Sequence, residues 1–189
     1  MLRRILAYGS IAGLLVALPI SALVVMSEGK PPAYGMVIGY LLMLIALSLV
    51  FVAVKRQRDE EGGGVIRFWT AFGLGLGISA VAGIMYVAAW EAVMALTGID
   101  FGTTYANNLI QAERAKGVSG PELARFVEEM ESFKLQYANP WFRLPITFSE
   151  IFPVGVLVSL VSAALLRNPR FLPGRSEVVG TYTEEPVVP

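Results

Sequence analysis

Four long apolar stretches limit what this chain can fold into more than any other feature of its sequence. They run from about Ile5 to Met26, Tyr34 to Val54, Phe68 to Leu96 and Leu144 to Leu166. Crossing the roughly 30 Å hydrocarbon core of a bilayer takes about 20 residues of helix. Hydrophobic residues make up 55% of the 189 residues and charged residues only 16%, which is unusual for a soluble domain. We therefore predict an all-α, polytopic membrane protein with four transmembrane helices.

The residue types that are missing narrow the range of functions. The sequence has no Cys and no His, which excludes disulfides, thiol nucleophiles, Cys/His zinc sites and Ser/His/Asp triads. Its 15 Lys and Arg balance 15 Asp and Glu, so it shows no net basic charge suited to nucleic acid. No motif arranges the remaining carboxylates, lysines and tyrosines for catalysis. We expect no enzyme activity, no cofactor, no metal ion and no nucleic-acid partner.

Lysine and arginine are distributed unevenly between the two ends of the spans. Nine of the 15 lie on the side that holds both termini and the loop of residues 55–67. On the other side, the short loop between the first two spans has only Lys30, and long connections count for less. Because cationic loops tend to stay in the cytoplasm, both termini are predicted to be cytoplasmic. The first apolar run lacks a small-x-small cleavage site, so we expect it to be retained as a span.

Small residues recur four positions apart along three of the spans. Such stripes allow close packing of membrane helices, which lipid tails otherwise do not favour. The stripes predict a compact antiparallel bundle, and the alternative is a seam between two copies of the chain. The residues concerned are Gly9 and Gly13 in the first span, Gly75, Ser79 and Gly83 in the third, and Gly155 and Ser159 in the fourth.

The connection between the third and fourth spans is too long to be a bare loop. Apolar residues spaced three and four apart predict a helix from about Gly120 to Ala138, with Asn139-Pro140 as its stop. A weaker pattern predicts a helix from about Thr103 to Lys116. Together these predict an extracytoplasmic helical hairpin over about residues 103–138.

The polar face of the second hairpin helix is acidic. Helices that lie on a membrane surface usually carry Lys and Arg there, so we predict that the apolar stripes of the hairpin pack on each other instead. The acidic face is then left for solvent or for a protein partner. The alternative is that these charges only keep the hairpin soluble. The residues of this face are Glu122, Glu128, Glu129 and Glu131.

Two carboxylates lie within the predicted spans, Glu91 in the third and Glu150 in the fourth. Ionisable residues in a bilayer are costly, so each is a functional hypothesis. In antiparallel spans the two fall at comparable depth, where facing carboxylates would form a proton or cation site. The alternative is a structural network near the outer interface, completed by four neighbouring side chains: Arg143, Tyr86, Trp90 and Ser149.

Two further segments are predicted to be flexible. In the loop of residues 55–67, Gly62-Gly63-Gly64 lacks the GK[ST] sequence of a phosphate-binding loop and is expected to be a flexible cytoplasmic turn. The last residues, 173–189, are rich in proline and are expected to form a disordered cytoplasmic tail after a membrane domain of residues 1–172.

The chain resembles the bacterial four-span membrane families of unknown function. The resemblance rests on four spans with a helical insertion before the last, on Glu150 followed by Gly155 and Ser159, and on the sequence Leu166-Arg167-Asn168-Pro169. It covers about residues 2–168 and implies residence in a bacterial inner membrane and the four-helix layout. It implies no activity and no catalytic residues.

Two functional hypotheses follow for a small, glycine-packed membrane bundle. The first is an interaction or accessory subunit that presents its outer hairpin to a protein partner. The second is a small ion- or proton-coupled transporter that uses Glu91 and Glu150, as a homo-oligomer. The scarcity of polar residues at the centres of the spans favours the first.

Overall fold

Six helices and no strand make up the part of the chain that the computed structural model describes, residues 1–27 and 34–173. Four of them are long and apolar enough to cross a membrane, and two shorter ones connect the third and fourth of these. The prediction of an all-α chain with four spans is confirmed. The helices are α1 Leu2–Met26, α2 Gly35–Glu61, α3 Phe68–Thr97, α4 Phe101–Ala115, α5 Gly120–Tyr137 and α6 Pro140–Leu166.

The four long helices form a closed bundle in which α3 is the most buried element. It packs along α1 on one side and along α6 on the other, and α2 completes the ring by packing on α6 and α1. Alternate faces of these helices are buried and exposed: Leu47 and Ile78 are fully buried, whereas Ile45 and Leu157 are more than half exposed. Large apolar side chains on the outside of such a bundle fit a lipid environment.

Glycine and serine set the distance between the packed helices. A Cβ atom added at Gly155 of α6 would lie 2.5 Å from the Cβ of Ser79 in α3, and one added at Gly75 would lie 2.8 Å from the Cβ of Ser159. On the other face of α3, a Cβ atom at Gly13 of α1 would lie 2.6 Å from the Cβ of Met85. The small-residue stripes thus lie at contacts within one chain.

Helix α2 extends further than predicted, to Glu61, and the prediction of a flexible loop from residue 55 onward is wrong. Residues 55–61 continue the helix because their charges pair along it and across to α1. Lys55 bonds to Asp59 four residues later, and Arg4 bonds to Glu60 at 2.7 Å. The following turn is also ordered, since Gly62 N and Gly64 N both donate to the Arg58 carbonyl at 3.1 Å.

Arg58 is fully buried at this end of the bundle, which the sequence did not indicate. Its Nη1 donates to the Phe171 carbonyl at 2.8 Å and its Nη2 to the Leu172 carbonyl, while its Nε bonds to Asp59 at 2.7 Å. Arg58 therefore holds the segment after α6 against α2. The predicted disorder of residues 173–189 lies, apart from Pro173, outside the described residues.

Helices α4 and α5 begin and end within two residues of their predicted bounds and pack on each other. The Asp100 side chain caps α4 by accepting from Thr103 N at 2.9 Å, whereas Ser119, directly before α5, makes no side-chain cap bond. Helix α6 begins at Pro140, four residues earlier than predicted, with Asn139 as its cap. The side of the membrane on which α4 and α5 lie stays a prediction.

Candidate functional site

A bidentate ion pair joins α3 to the first turn of α6. The Arg143 Nε donates to Glu91 Oε1 at 2.7 Å, and its second terminal nitrogen donates to Oε2 at 2.5 Å. Its remaining nitrogen donates to the Tyr137 carbonyl at 3.1 Å, at the end of α5. The Arg143 side chain is 11% exposed and that of Glu91 27% exposed, so the pair is partly shielded from solvent. One guanidinium thus connects α3, α5 and α6.

Tyr137 and Trp90 form a second connection beside this ion pair. Trp90 Nε1 donates to the Tyr137 hydroxyl at 3.0 Å, and both side chains are buried. Burial raises the pKa of Tyr137 to about 12, so its hydroxyl stays neutral at physiological pH. The Phe101 ring of α4 packs edge-on to Trp90, with ring centroids 4.9 Å apart. The base of the α4–α5 pair is therefore attached to α3 by stacked rings as well as by charge.

Glu150 has a different environment from Glu91. Tyr86 of α3 donates to its Oε2 at 3.2 Å, and no Lys or Arg of residues 1–27 or 34–173 lies within ion-pair distance of it. Its side chain is exposed, whereas Glu91 is occupied by Arg143. The two carboxylates make no hydrogen bond to each other, so they do not form the shared proton or cation site that the sequence suggested.

Ser149 does not belong to this network. Its hydroxyl donates to the Ile146 carbonyl of its own helix at 2.7 Å and is exposed. Serine next to a carboxylate is a frequent bonding partner, but neighbouring residues on a helix point about 100° apart. The structure therefore brings together Glu91, Arg143, Trp90 and Tyr137 in one cluster and Glu150 with Tyr86 in another.

A cavity of about 520 Å³ lies beside Glu150 and is bordered by all six helices. Its walls are mostly apolar. Aromatic side chains line it from α2, α3, α4 and α5, and aliphatic side chains line it from α1 and α2. No part of the sequence indicated this space, because it exists only where all six helices meet. The lining aromatic residues next to Glu150 include Tyr86, Trp90, Phe101, Tyr105 and Tyr137.

The predicted acidic face of α5 is exposed. All four of its glutamates are exposed, and one of them, Glu131, bonds to Lys134 at 2.7 Å. On the opposite side of α5, Phe133 packs against Tyr105 of α4, with ring centroids 6.0 Å apart. Within the described ranges, no group of three or more acidic residues is arranged to hold a metal ion.

Comparison with known proteins identifies a family. Residues 7–168 match the family described as protein of unknown function (DUF4199). The chain belongs to this family. The DUF4199 match covers most of the four long helices and all of α4 and α5, and the resemblance to a membrane family of unknown function is confirmed. No curated protein and no solved structure matches the chain.

The DUF4199 description assigns no activity, so the functional residues have to be identified from their chemistry. Sequence reasoning missed Tyr137, which it treated only as the last apolar position of α5. A tyrosine at the end of an apolar stripe, directly before a helix stop, is a signal for a buried hydroxyl that needs a partner. The sequence contained no signal that Phe101 would line the cavity.

Proposed function

We propose that this integral membrane protein is a non-enzymatic interaction or accessory subunit of a bacterial inner membrane. Both termini face the cytoplasm and α5 presents its acidic face to a partner on the other side. The observation that carries the proposal is the fixed attachment of α5 to the bundle by Arg143 and Tyr137. A face that serves only solubility does not need a fixed orientation, whereas a binding face gains affinity from one.

The interior of the bundle supports the same proposal. Where Gly75 and Gly155 meet Ser159 and Ser79, the helices are too close for even one added carbon atom. Such a contact leaves no polar pathway along α3 and α6. Within residues 1–27 and 34–173, no serine or threonine hydroxyl bonds to a carboxylate that could act as its base. A subunit that only presents a binding face to a partner needs neither a polar pathway nor a nucleophile.

Native mass spectrometry after gentle extraction from the source membrane tests this proposal. We expect a second polypeptide in stoichiometric amount, lost when the four glutamates of the acidic face are changed together to Gln. The matched control changes Glu60 and Glu61, which are exposed at the opposite end of the bundle, to Gln. A wild-type protein that contains only copies of itself would contradict the proposal.

The second candidate function is ion- or proton-coupled transport by a homo-oligomer. The observation in its favour is that Glu150 lines an open cavity and bonds only to a tyrosine among the described residues. In proteoliposomes, Glu150→Gln and Glu91→Gln should then each abolish flux driven by a pH or cation gradient, and Glu128→Gln should not. Wild-type vesicles no leakier than empty ones would exclude this candidate.

A further inference from the structure

The cavity beside Glu150 combines a single carboxylate with ring-lined and aliphatic walls. Its volume of about 520 Å³ falls within the range of small-molecule sites, which is roughly 300–1,000 Å³. The carboxylate lies about 9 Å below Leu144 along α6, from the rise of an α-helix. This places the carboxylate inside the apolar span, below the head-group level of the bilayer.

The charge in this cavity selects a cation. Glu150 is the only ionisable carboxylate among its lining residues, and its hydrogen bond from Tyr86 leaves the second carboxylate oxygen without a bond from any described residue. No described Lys or Arg lines the cavity. An ionisable carboxylate within an apolar span is a candidate binding site, and a bound cation would offset its charge.

The rings next to Glu150 select an organic cation over a metal ion. Tyr86, Trp90 and Phe101 present aromatic surface to the same space, together with Tyr105 and Tyr137. Aromatic faces attract ammonium groups and form the cages that recognise quaternary ammonium. A hard divalent ion prefers several oxygen ligands, and the cavity offers one carboxylate.

The aliphatic residues that line the cavity from α1 and α2 favour binding of an apolar tail. Ile20, Leu23 and Val24 of α1 face Ile38 and Leu42 of α2 across the cavity. These side chains carry no hydrogen-bonding groups, so they favour hydrocarbon over a polar extension. The outward faces of α1 and α2 are apolar as well.

We propose that this cavity binds the ammonium head of an amphiphile, with the cation at Glu150 between the aromatic rings and the tail between α1 and α2. Two sources share this chemistry, an ammonium-bearing phospholipid and a free alkylammonium compound. The site is independent of the acidic face of α5, so a result at one does not decide the other.

The first experiment uses dodecyltrimethylammonium as the probe. The protein carries Trp69→Phe and Trp141→Phe, so that Trp90 is the one tryptophan left of the 3 in the sequence. Binding is read from the Trp90 emission in nanodiscs made only of phosphatidylglycerol. We expect saturable binding that is about tenfold weaker in Glu150→Gln, since the charge is lost and the shape kept. The matched control, Glu122→Gln, lies outside the cavity and should bind as the parent protein does.

Two probes separate the contributions of head and tail. Tetramethylammonium has the head without the tail, and dodecanol has the tail without the charge, so each should bind more weakly than the full amphiphile. Dodecanol binding should also be the same in Glu150→Gln and the parent. Equal binding of dodecanol and dodecyltrimethylammonium, or an unchanged affinity in Glu150→Gln, would overturn the proposal.

The source of the ligand is decided by adding phosphatidylethanolamine to the nanodiscs. Competition with the probe identifies the phospholipid, and its absence identifies a free alkylammonium compound. Lys30 lies outside the described residues, and Lys30→Gln tests whether this lysine itself occupies the site. Probe binding that appears only in Lys30→Gln would overturn the proposal, whereas equal binding in both proteins supports it.

Discussion

Arg143 is the residue on which the candidate site depends most. Its three nitrogens bond to both oxygens of Glu91 and to the carbonyl at the end of α5. Lysine cannot replace this geometry, because its ammonium group is a point charge without the planar fork of a guanidinium. The sequence indicated that Arg143 was near Glu91, but not that one side chain would join three helices.

Removing the charge of Glu91 should destabilise the protein measurably. Glu91→Gln leaves Arg143 with a neutral partner in a partly shielded place, at a cost of about 1–3 kcal/mol. The control, Glu128→Gln on the exposed face of α5, should change the stability by less than about 0.5 kcal/mol. Thermal unfolding in detergent, followed by circular dichroism, measures both. Equal melting temperatures for the two variants would mean that the Glu91–Arg143 ion pair does not stabilise the folded protein.

The charge of Asp100 should make the stability of α4 depend on pH. The bond from Thr103 N lowers the pKa of this carboxyl below its ordinary value, so the charged form is favoured in the folded state. Its contribution is therefore complete above the ordinary pKa and is lost as the pH falls through the folded value. Because Asp100 is exposed, the contribution of the cap is only about 1 kcal/mol.

Asp100→Ala should lower the stability at pH 7, and the difference from the wild type should shrink below about pH 4. Asp100→Asn keeps a capping oxygen that does not titrate and should hold its stability across the same range. Hydrogen exchange at the Thr103 amide reports on the cap directly. A difference between Asp100→Ala and the wild type that stays constant down to pH 2 would exclude the charge as its cause.

At the scale of elements, the distance between α3 and α6 is set by two reciprocal contacts of glycine with serine. Each glycine lies opposite a serine of the other helix, and both serines also bond to carbonyls of their own helices, Ser79 to Gly75 and Ser159 to Gly155. The two hydroxyls also contact each other across the interface, at a long 3.4 Å. Close packing at the glycines holds the pair together, with this long interhelical hydrogen bond beside it.

Gly155→Ala should destabilise the bundle by about 1–3 kcal/mol, because its Cβ would overlap with Ser79. The control is Gly73→Ala on α3, where nothing lies within 4 Å of the added carbon. That variant should be neutral or more stable by up to about 1 kcal/mol, since alanine favours helix. Adding Ser79→Gly to Gly155→Ala should restore part of the loss. A Gly155→Ala protein as stable as Gly73→Ala would show that this contact does not fix the helix distance.

The helices could be predicted from the sequence because their signals are local. The length of the apolar stretches predicted the four spans. The spacing of apolar residues three and four apart predicted the ends of α4 and α5 to within two residues. The errors arose where distant residues decide the outcome. Helix α2 continues through residues 55–61 because Arg4 and the carbonyls after α6 provide partners for its charges. The cavity needs six helices in place, so no single stretch of sequence indicates it.

At the scale of the whole molecule, the amino end, the α2–α3 turn and the segment after α6 lie together. Arg4 bonds to Glu60, Arg56 to Tyr8, and Arg58 to Phe171. The same end has the excess of positive charge that predicts a cytoplasmic location. The α4–α5 pair follows α3 and precedes α6, at the other ends of those helices.

The orientation can be tested without first removing any native thiol, since the chain has no Cys. In spheroplasts, a membrane-impermeant maleimide should label Glu129→Cys on the exposed face of α5 and should not label Arg3→Cys until the membrane is permeabilised. Both positions are exposed, so a difference in labelling reports on sidedness and not on burial. Labelling of Arg3→Cys alone in intact spheroplasts would reverse the predicted orientation.

Only Ala138 and Asn139 separate α5 from α6, and Arg143 bonds back to the last carbonyl of α5 across this junction. We therefore expect a change in the tilt of α6 to be passed on to α5. Helix α5 has 18 residues and is about 27 Å long, so a 10° tilt of α6 would move its far end by about 5 Å. Membrane helices change tilt with bilayer thickness. The position of the acidic face would then report how thick the surrounding membrane is.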